Sequence, residues 1–293
     1  MTGSLATHHG SMNGVRRRPL VRRAAKTANP AGKSASPLRS RFAAATSEPQ
    51  LSEFYSALVA SGQRSLVYVA RHPLATATRL IAIARLPKRT AVLGDSPGGR
   101  TLHLTLRRPG PLRTPFGSTG IAVLDVPADA AEYSLGTSKQ TLRRKVRAAQ
   151  KAGVTCRPVT DAAERSALLE LANVCEQQHA DEEYRVEAPD NSDLLDHDLW
   201  LAAFAADGRP LLLSVTPVDG EWGHLRYFRT LGSGPEYSDS RYLMNQELVE
   251  ELSRRGVRHL VDGTHPVELP NGLRHFQRMV GFRLTRVLAR TAA

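Results

Sequence analysis

Two cysteines in 293 residues, Cys156 and Cys175, are too few for a disulfide framework or a zinc site, and both fall in apolar-patterned segments that suit buried structural thiols. No stretch reaches the ~20 uninterrupted apolar residues of a membrane span. The longest candidate, "SLVYVARHPLATATRLIAIARL" (65–86), is broken by Arg71, His72, Pro73, Arg79 and Arg85, and reads either as a helix covering a core or as an interfacial helix. Internal repeats are missing too, so the chain is not a barrel of repeats. Acid is almost missing from the first fifty residues, where nine Lys/Arg stand against Glu48 alone. That segment therefore carries +8 of the chain's +12. It also lacks large apolar residues, so it cannot offset its own ordering entropy, and 1–48 reads as a disordered basic tail. The same composition fits an organellar transit peptide. With no aromatic before Phe42, the tail could meet anionic lipid or nucleic acid only non-specifically, and no specific nucleic acid is expected. The cytoplasm is the default location, since no signal-peptide apolar region is seen.

What is present divides into a region 49–134 and a region 135–293. The first opens with helices over 51–86. The leucines of "RTLHLTLRR" (100–108) then alternate at 102, 104 and 106, and this spacing predicts a strand; "TGIAVLDV" (119–126) predicts another. In the second region Thr137 and Gln140 form a T-x-x-Q capping box, with Leu142, Val146 and Ala149 as the apolar stripe and Gly153 as the stop. A strand over 154–159 follows, then a helix over 161–179 with Ala163, Ala167, Leu168, Leu171 and Val174 inward. Strands over 199–207, 209–219 and 221–230 are joined by Asp207-Gly208 and Asp219-Gly220, strong hairpin signals. A helix near 240–255, a strand over 257–262, a helix at "NGLRHFQRMVGF" (271–282) and a strand over 282–290 complete the chain. In 271–282, Leu273, Phe276 and Val280 make the apolar stripe, Asn271 can cap, and Gly281 can take the left-handed position. The order β-α-β-β-β-α-β-α-β defines a mixed α/β (α+β) class with a mostly antiparallel sheet flanked by helices.

That order resembles the GNAT acyltransferase fold over about 155 residues. "RRKVRAAQKAGV" (143–154), "RYLMNQELVEELSRRGVRHLVDG" (241–263) and "GLRHFQRMVGF" (272–282) resemble segments of its FemAB-like and BioF2-like relatives. The resemblance implies a transferase whose last helix closes an acyl-carrier cleft. It implies acyl-CoA, such as acetyl-CoA, as co-substrate, no metal, and a small-molecule or cell-envelope amine or hydroxyl acceptor. In GNAT proteins the pyrophosphate sits at a helix N-terminus behind the pattern Arg/Gln-x-x-Gly-x-Gly/Ala, where unpaired N–H groups face the anion. Arg229, Gly232 and Gly234 match those letters, and Ser240 and Arg241 follow, although "PEYSDS" (235–240) intervenes. A turn between strand and helix accounts for the glycines equally well. The Tyr that often supplies the thiolate's proton falls at Gln277 here. Candidate bases at strand ends are His224, Asp262 and His265, with Glu268 close by. Lys139, Arg143, Arg147 and Lys151 make a positive stripe, either a solvated face or a contact for an anionic partner. Two other functions stay open: an aminoacyl-tRNA-dependent transferase acting on a cell-wall or lipid acceptor, and a non-catalytic binding module.

Overall fold

The computed structural model describes residues 51, 53, 54, 57 and 65–292, except 111–113, 180, 183–184, 265–268, 270 and the side chains at 65, 66 and 271. The basic tail, His265 and Glu268 lie outside the described residues. Two helices, α1 (Ser65–Arg71) and α2 (Pro73–Arg85), lead into β1 (Lys88–Leu93), α3 (Pro97–Arg107) and β2 (Ile121–Asp125). Next come α4 (Gln140–Lys151), β3 (Thr155–Pro158), α5 (Ala162–Gln177), β4 (Trp200–Phe204) and β5 (Pro210–Val215). The rest is β6 (Val218–Asp219), β7 (Trp222–Leu225), β8 (Tyr227–Thr230), α6 (Pro235–Arg254), β9 (His259–Asp262), α7 (Asn271–Val280) and β10 (Arg283–Thr291).

The strands form two sheets, in the orders β1-β10-β2-β9-β7-β6 and β3-β4-β5-β8. One long hairpin serves both. Its outer part pairs β5 with β8 in the second sheet, and its tip pairs β6 with β7 in the first, around the Asp219-Gly220 turn. Pro217 has no N–H to give a ladder, so one arm changes sheet there. The other arm changes at Arg226, whose N–H donates back to the His224 carbonyl at 2.7 Å. β8 and β9 therefore belong to different sheets, and α6 crosses from one to the other. That crossover makes β7 parallel to β9.

Burial follows this arrangement. Tyr242, Met244, Leu248 and Leu252 of α6 pack against Leu211 and Leu212 of the second sheet and Leu225 and Leu260 of the first. The opposite face of the second sheet is covered by Leu168, Leu169 and Ala172 of α5, and that of the first by Leu102 and Leu106 of α3. Each such leucine contributes roughly 1.5–3 kcal/mol on leaving water. The mixed α/β class expected from the sequence is the one found.

Four details differ from expectation. Residues 100–108 are mostly helix, not strand. Ser96 caps α3 by accepting from the Gly99 N–H at 2.9 Å and Pro97 takes the first turn, so Leu102 and Leu106 bury as an i, i+4 pair while Leu104 faces water. The boundary near 134 separates no folding units, because β1 and β2 from the first region pair with β10 and β9 from the second. α4 starts behind a short 3-10 turn over Thr137–Lys139 and has no side-chain cap, so the capping box is not formed. α5 turns inward on Leu168, Leu169, Ala172 and Glu176, leaving Leu171 and Val174 exposed. The stops at Gly153 and Gly281 hold, at φ +76° and +112°.

Candidate functional site

Parallel pairing of β7 with β9 sets His224 opposite Val261 and Leu225 opposite Asp262, so the carboxyl ends of both strands meet where the hairpin changes sheet. His224 is 3% exposed, and its Nδ1 has no hydrogen-bond partner among the described residues. Burial first, then Arg226, Arg108 and His197, push its pKa down to about 3. The ring is neutral at neutral pH. It lies against the backbone of Gly263, where an added Cβ would come 2.2 Å from Nε2. Only glycine fits beside this imidazole.

Asp262 follows on the same strand. Its Oδ1 accepts from the Thr264 N–H at 2.8 Å and its Oδ2 from Gln277 Nε2 at 2.6 Å. Burial raises the carboxyl's pKa, and those hydrogen bonds with the nearby Arg108 charge oppose the rise. Arg108, just past the end of α3, donates from Nη2 to the Gly263 carbonyl at 2.7 Å. Its guanidinium lies 4.1 Å over the Phe116 ring. A proton-avid carboxylate, a neutral imidazole and an exposed guanidinium thus surround one glycine. The sequence-predicted His224 and Asp262 lie on neighbouring strands but on opposite faces of the sheet, His224 on the face of Val261 and Asp262 on that of Leu225. Arg108 and Gln277 were missed, Arg108 because 100–108 read as a strand. Gln277 was noted only as an absent tyrosine.

The second predicted group gathers where β8 meets α6. Arg229 is ion-paired with Glu176 at 2.8 Å, and the same carboxylate accepts from Tyr227 Oη at 2.8 Å. Glu176 is buried on α5, and Tyr227 is held protonated by burial and by that carboxylate. The Tyr237 ring covers Gly232, where a Cβ would meet ring atoms at 2.5–2.7 Å. Arg209 donates to Tyr237 Oη and pairs with Glu236. Gly234, at φ +128°, turns the chain into Pro235 at the first helical position, so α6 starts five residues before Ser240. Ser240 is fully buried and donates to the Tyr237 carbonyl at 2.9 Å, and Arg241 donates to Thr230 Oγ1 at 3.3 Å. Gly232 is thus packed by Tyr237, a Cβ on Gly234 would meet nothing nearer than Tyr237 at 3.8 Å, and Arg229 and Arg241 each have a partner within the protein. Among the described residues no three His, Cys, Asp or Glu gather as metal ligands.

No family model and no curated protein matches the chain. Solved structures do. FemX is similar at 12% identity over 57% of this chain and 59% of its own, with a TM-score of 0.44. The C-terminal domain of a putative lysylphosphatidylglycerol synthetase from Agrobacterium fabrum is similar at 15% identity over 56% and 57%, with a TM-score of 0.43. L-PGS from Bacillus licheniformis is similar at 16% identity over 56% and 57%, with a TM-score of 0.42. The chain spans less than three-fifths of the length of each. Among the described residues, no helix is long and apolar enough to cross a membrane.

Proposed function

We propose that the chain is a transferase that moves an aminoacyl group from an aminoacyl-tRNA ester to a hydroxyl or amine of a cell-envelope acceptor. The observation that carries this reading is the hydrogen bond from Gln277 to Asp262. A thioester donor calls for an acid to protonate the departing thiolate, and the position that often supplies it holds an amide already committed to a carboxylate. With an ester donor the departing ribose oxygen is more basic than a thiolate and must be protonated as it leaves, so one group has to carry the acceptor's proton to it. Asp262, raised by burial, takes the acceptor's proton as the new ester or amide bond forms and returns it to the departing ribose oxygen. Gln277 positions that carboxylate, and Arg108 lies where it can offset charge developing on the carbonyl oxygen.

The acyl-CoA reading needs an open pyrophosphate cradle at Gly232–Gly234, and Tyr237 fills the face of Gly232. The two donors are separated by one experiment on the intact protein. It is given tRNA charged with labelled amino acids and phosphatidylglycerol vesicles or an amine-bearing wall precursor, and in parallel acetyl-CoA with the same acceptors. The expected outcome is acceptor-dependent transfer of label from tRNA, lowered by roughly 10²–10⁴-fold in Asp262→Asn. Release of CoA thiol with no loss of label from tRNA would reverse the assignment.

A further inference from the structure

α2 carries a face that no described residue covers. Thr76 and Ala82 point inward with Leu86, while Leu74 is 83% exposed and Leu80 and Ile81 are each 50% exposed. Val67 of α1 adds a fourth aliphatic side chain, 42% exposed. Leu74, Ala77 and Ile81 recur at i, i+3, i+7, so the outer face is a stripe along a helix about 20 Å long. A helix apolar on both sides, one packed and one bare, needs a second apolar neighbour.

Charge identifies the neighbour. From Ser65 to Gly94 there are five Lys/Arg and no Asp or Glu. Arg71 stands exposed at one end of the stripe, and Arg85 and Lys88 stand exposed at the other. Arg89 is occupied by Asp125. Aliphatic side chains between cations suit a surface whose interior is apolar and whose rim is anionic. A second copy packed antiparallel on this stripe would set Arg71 against Arg85. The chain's own first fifty residues, with nine Lys/Arg, would likewise bring like charge.

We propose that the outer face of α2 lies in the surface of an anionic phospholipid bilayer, with Leu74, Leu80 and Ile81 below the headgroups and Arg71, Arg85 and Lys88 among the phosphates. This docking stands whether or not the transfer reading holds. The test is co-sedimentation of the full chain with phosphatidylcholine vesicles and with vesicles containing phosphatidylglycerol, at low and high salt. Phosphatidylglycerol vesicles should bind it, with affinity falling roughly tenfold in Leu74→Glu/Ile81→Glu and about fivefold for each of Arg71→Gln and Arg85→Gln. Melting temperatures should be unchanged, since every altered side chain is exposed. Binding that is the same in the Leu74→Glu/Ile81→Glu variant belongs to the basic tail and overturns the proposal. So does equal binding to phosphatidylcholine alone, or a dimer in solution that the same variant dissociates.

Discussion

The two ends of the long hairpin bury charge in opposite ways. At the β8 end Glu176 is matched by Arg229 and Tyr227, with Asn191 3.5 Å from its other oxygen. At the β7 end His224 Nδ1 has no partner among the described residues, and Asp262 is held by an amide and a backbone N–H but stays proton-avid. Completed pairing fixes a structure, whereas an incompletely compensated buried group retains free energy that chemistry can use. The first end therefore reads as the brace of the second sheet, and the other is the end on which the proposed transfer rests.

The comparison breaks first at Glu176. Glu176→Ala strands the Arg229 guanidinium and the Tyr227 hydroxyl in a half-buried site and should cost about 3–5 kcal/mol in denaturant unfolding. A loss below about 1 kcal/mol would mean that the network braces nothing. A pH effect of similar origin is expected at His224. Its pKa falls from 6.5 unfolded to about 3 folded, so the neutral ring stabilises the fold fully above pH 6.5. That stability is lost as pH drops from 6.5 toward about 3. Melting temperature followed over this range should decline less steeply in His224→Gln. Parallel declines would show that the imidazole is not held neutral. The smallest effect is at Gly232, where the Cβ of Gly232→Ala must displace the Tyr237 ring at a cost of roughly 1–3 kcal/mol. If instead the glycine is kept for a phosphate, stability stays level and CoA affinity alone falls.

Much of this architecture was legible in residue order. The Asp-Gly turns, the stripe of α4 and the Leu273–Phe276–Val280 stripe of α7 are local patterns, and local patterns decide elements. Phe276 is buried, edge-on to Tyr242 at 5.1 Å between ring centroids. The misread stretch, 100–108, satisfies two periods at once, since leucines at 102, 104 and 106 alternate and 102 and 106 also share a helix face. The deciding signal sits upstream in Ser96-Pro97-Gly98-Gly99. Its glycines suggest a loop, but helix backbone there packs on other backbone. A Cβ on Gly98 would meet the Val218 carbonyl at 2.2 Å, and one on Gly99 the Gly94 carbonyl at 2.4 Å. Such closeness is tertiary and leaves no periodic trace. Glu176 was missed because apolar periodicity cannot nominate a carboxylate for an inward face.

The site was half legible. His224 and Asp262 could be chosen as strand-end titratable groups, and parallel pairing of β7 with β9 sets them on adjacent strands but on opposite faces. Arg108 comes from a distant element, and the role of Gln277 depends on a contact between α7 and β9. The role proposed for Asp262, poised by burial and steadied by Gln277, is that of the base. It is tested most directly by the pH dependence of aminoacyl transfer in the parent and in Gln277→Leu. An ionised Asp262 is required, so transfer should fail as pH drops through its raised pKa, above the ordinary value of 3.8. Removing the amide removes one hydrogen bond that favours the charged form, so the acid limb should move to higher pH in Gln277→Leu while Asp262→Asn abolishes it. An acid limb that stays in place, or an Asp262→Asn variant that transfers at the parental rate, would contradict the account.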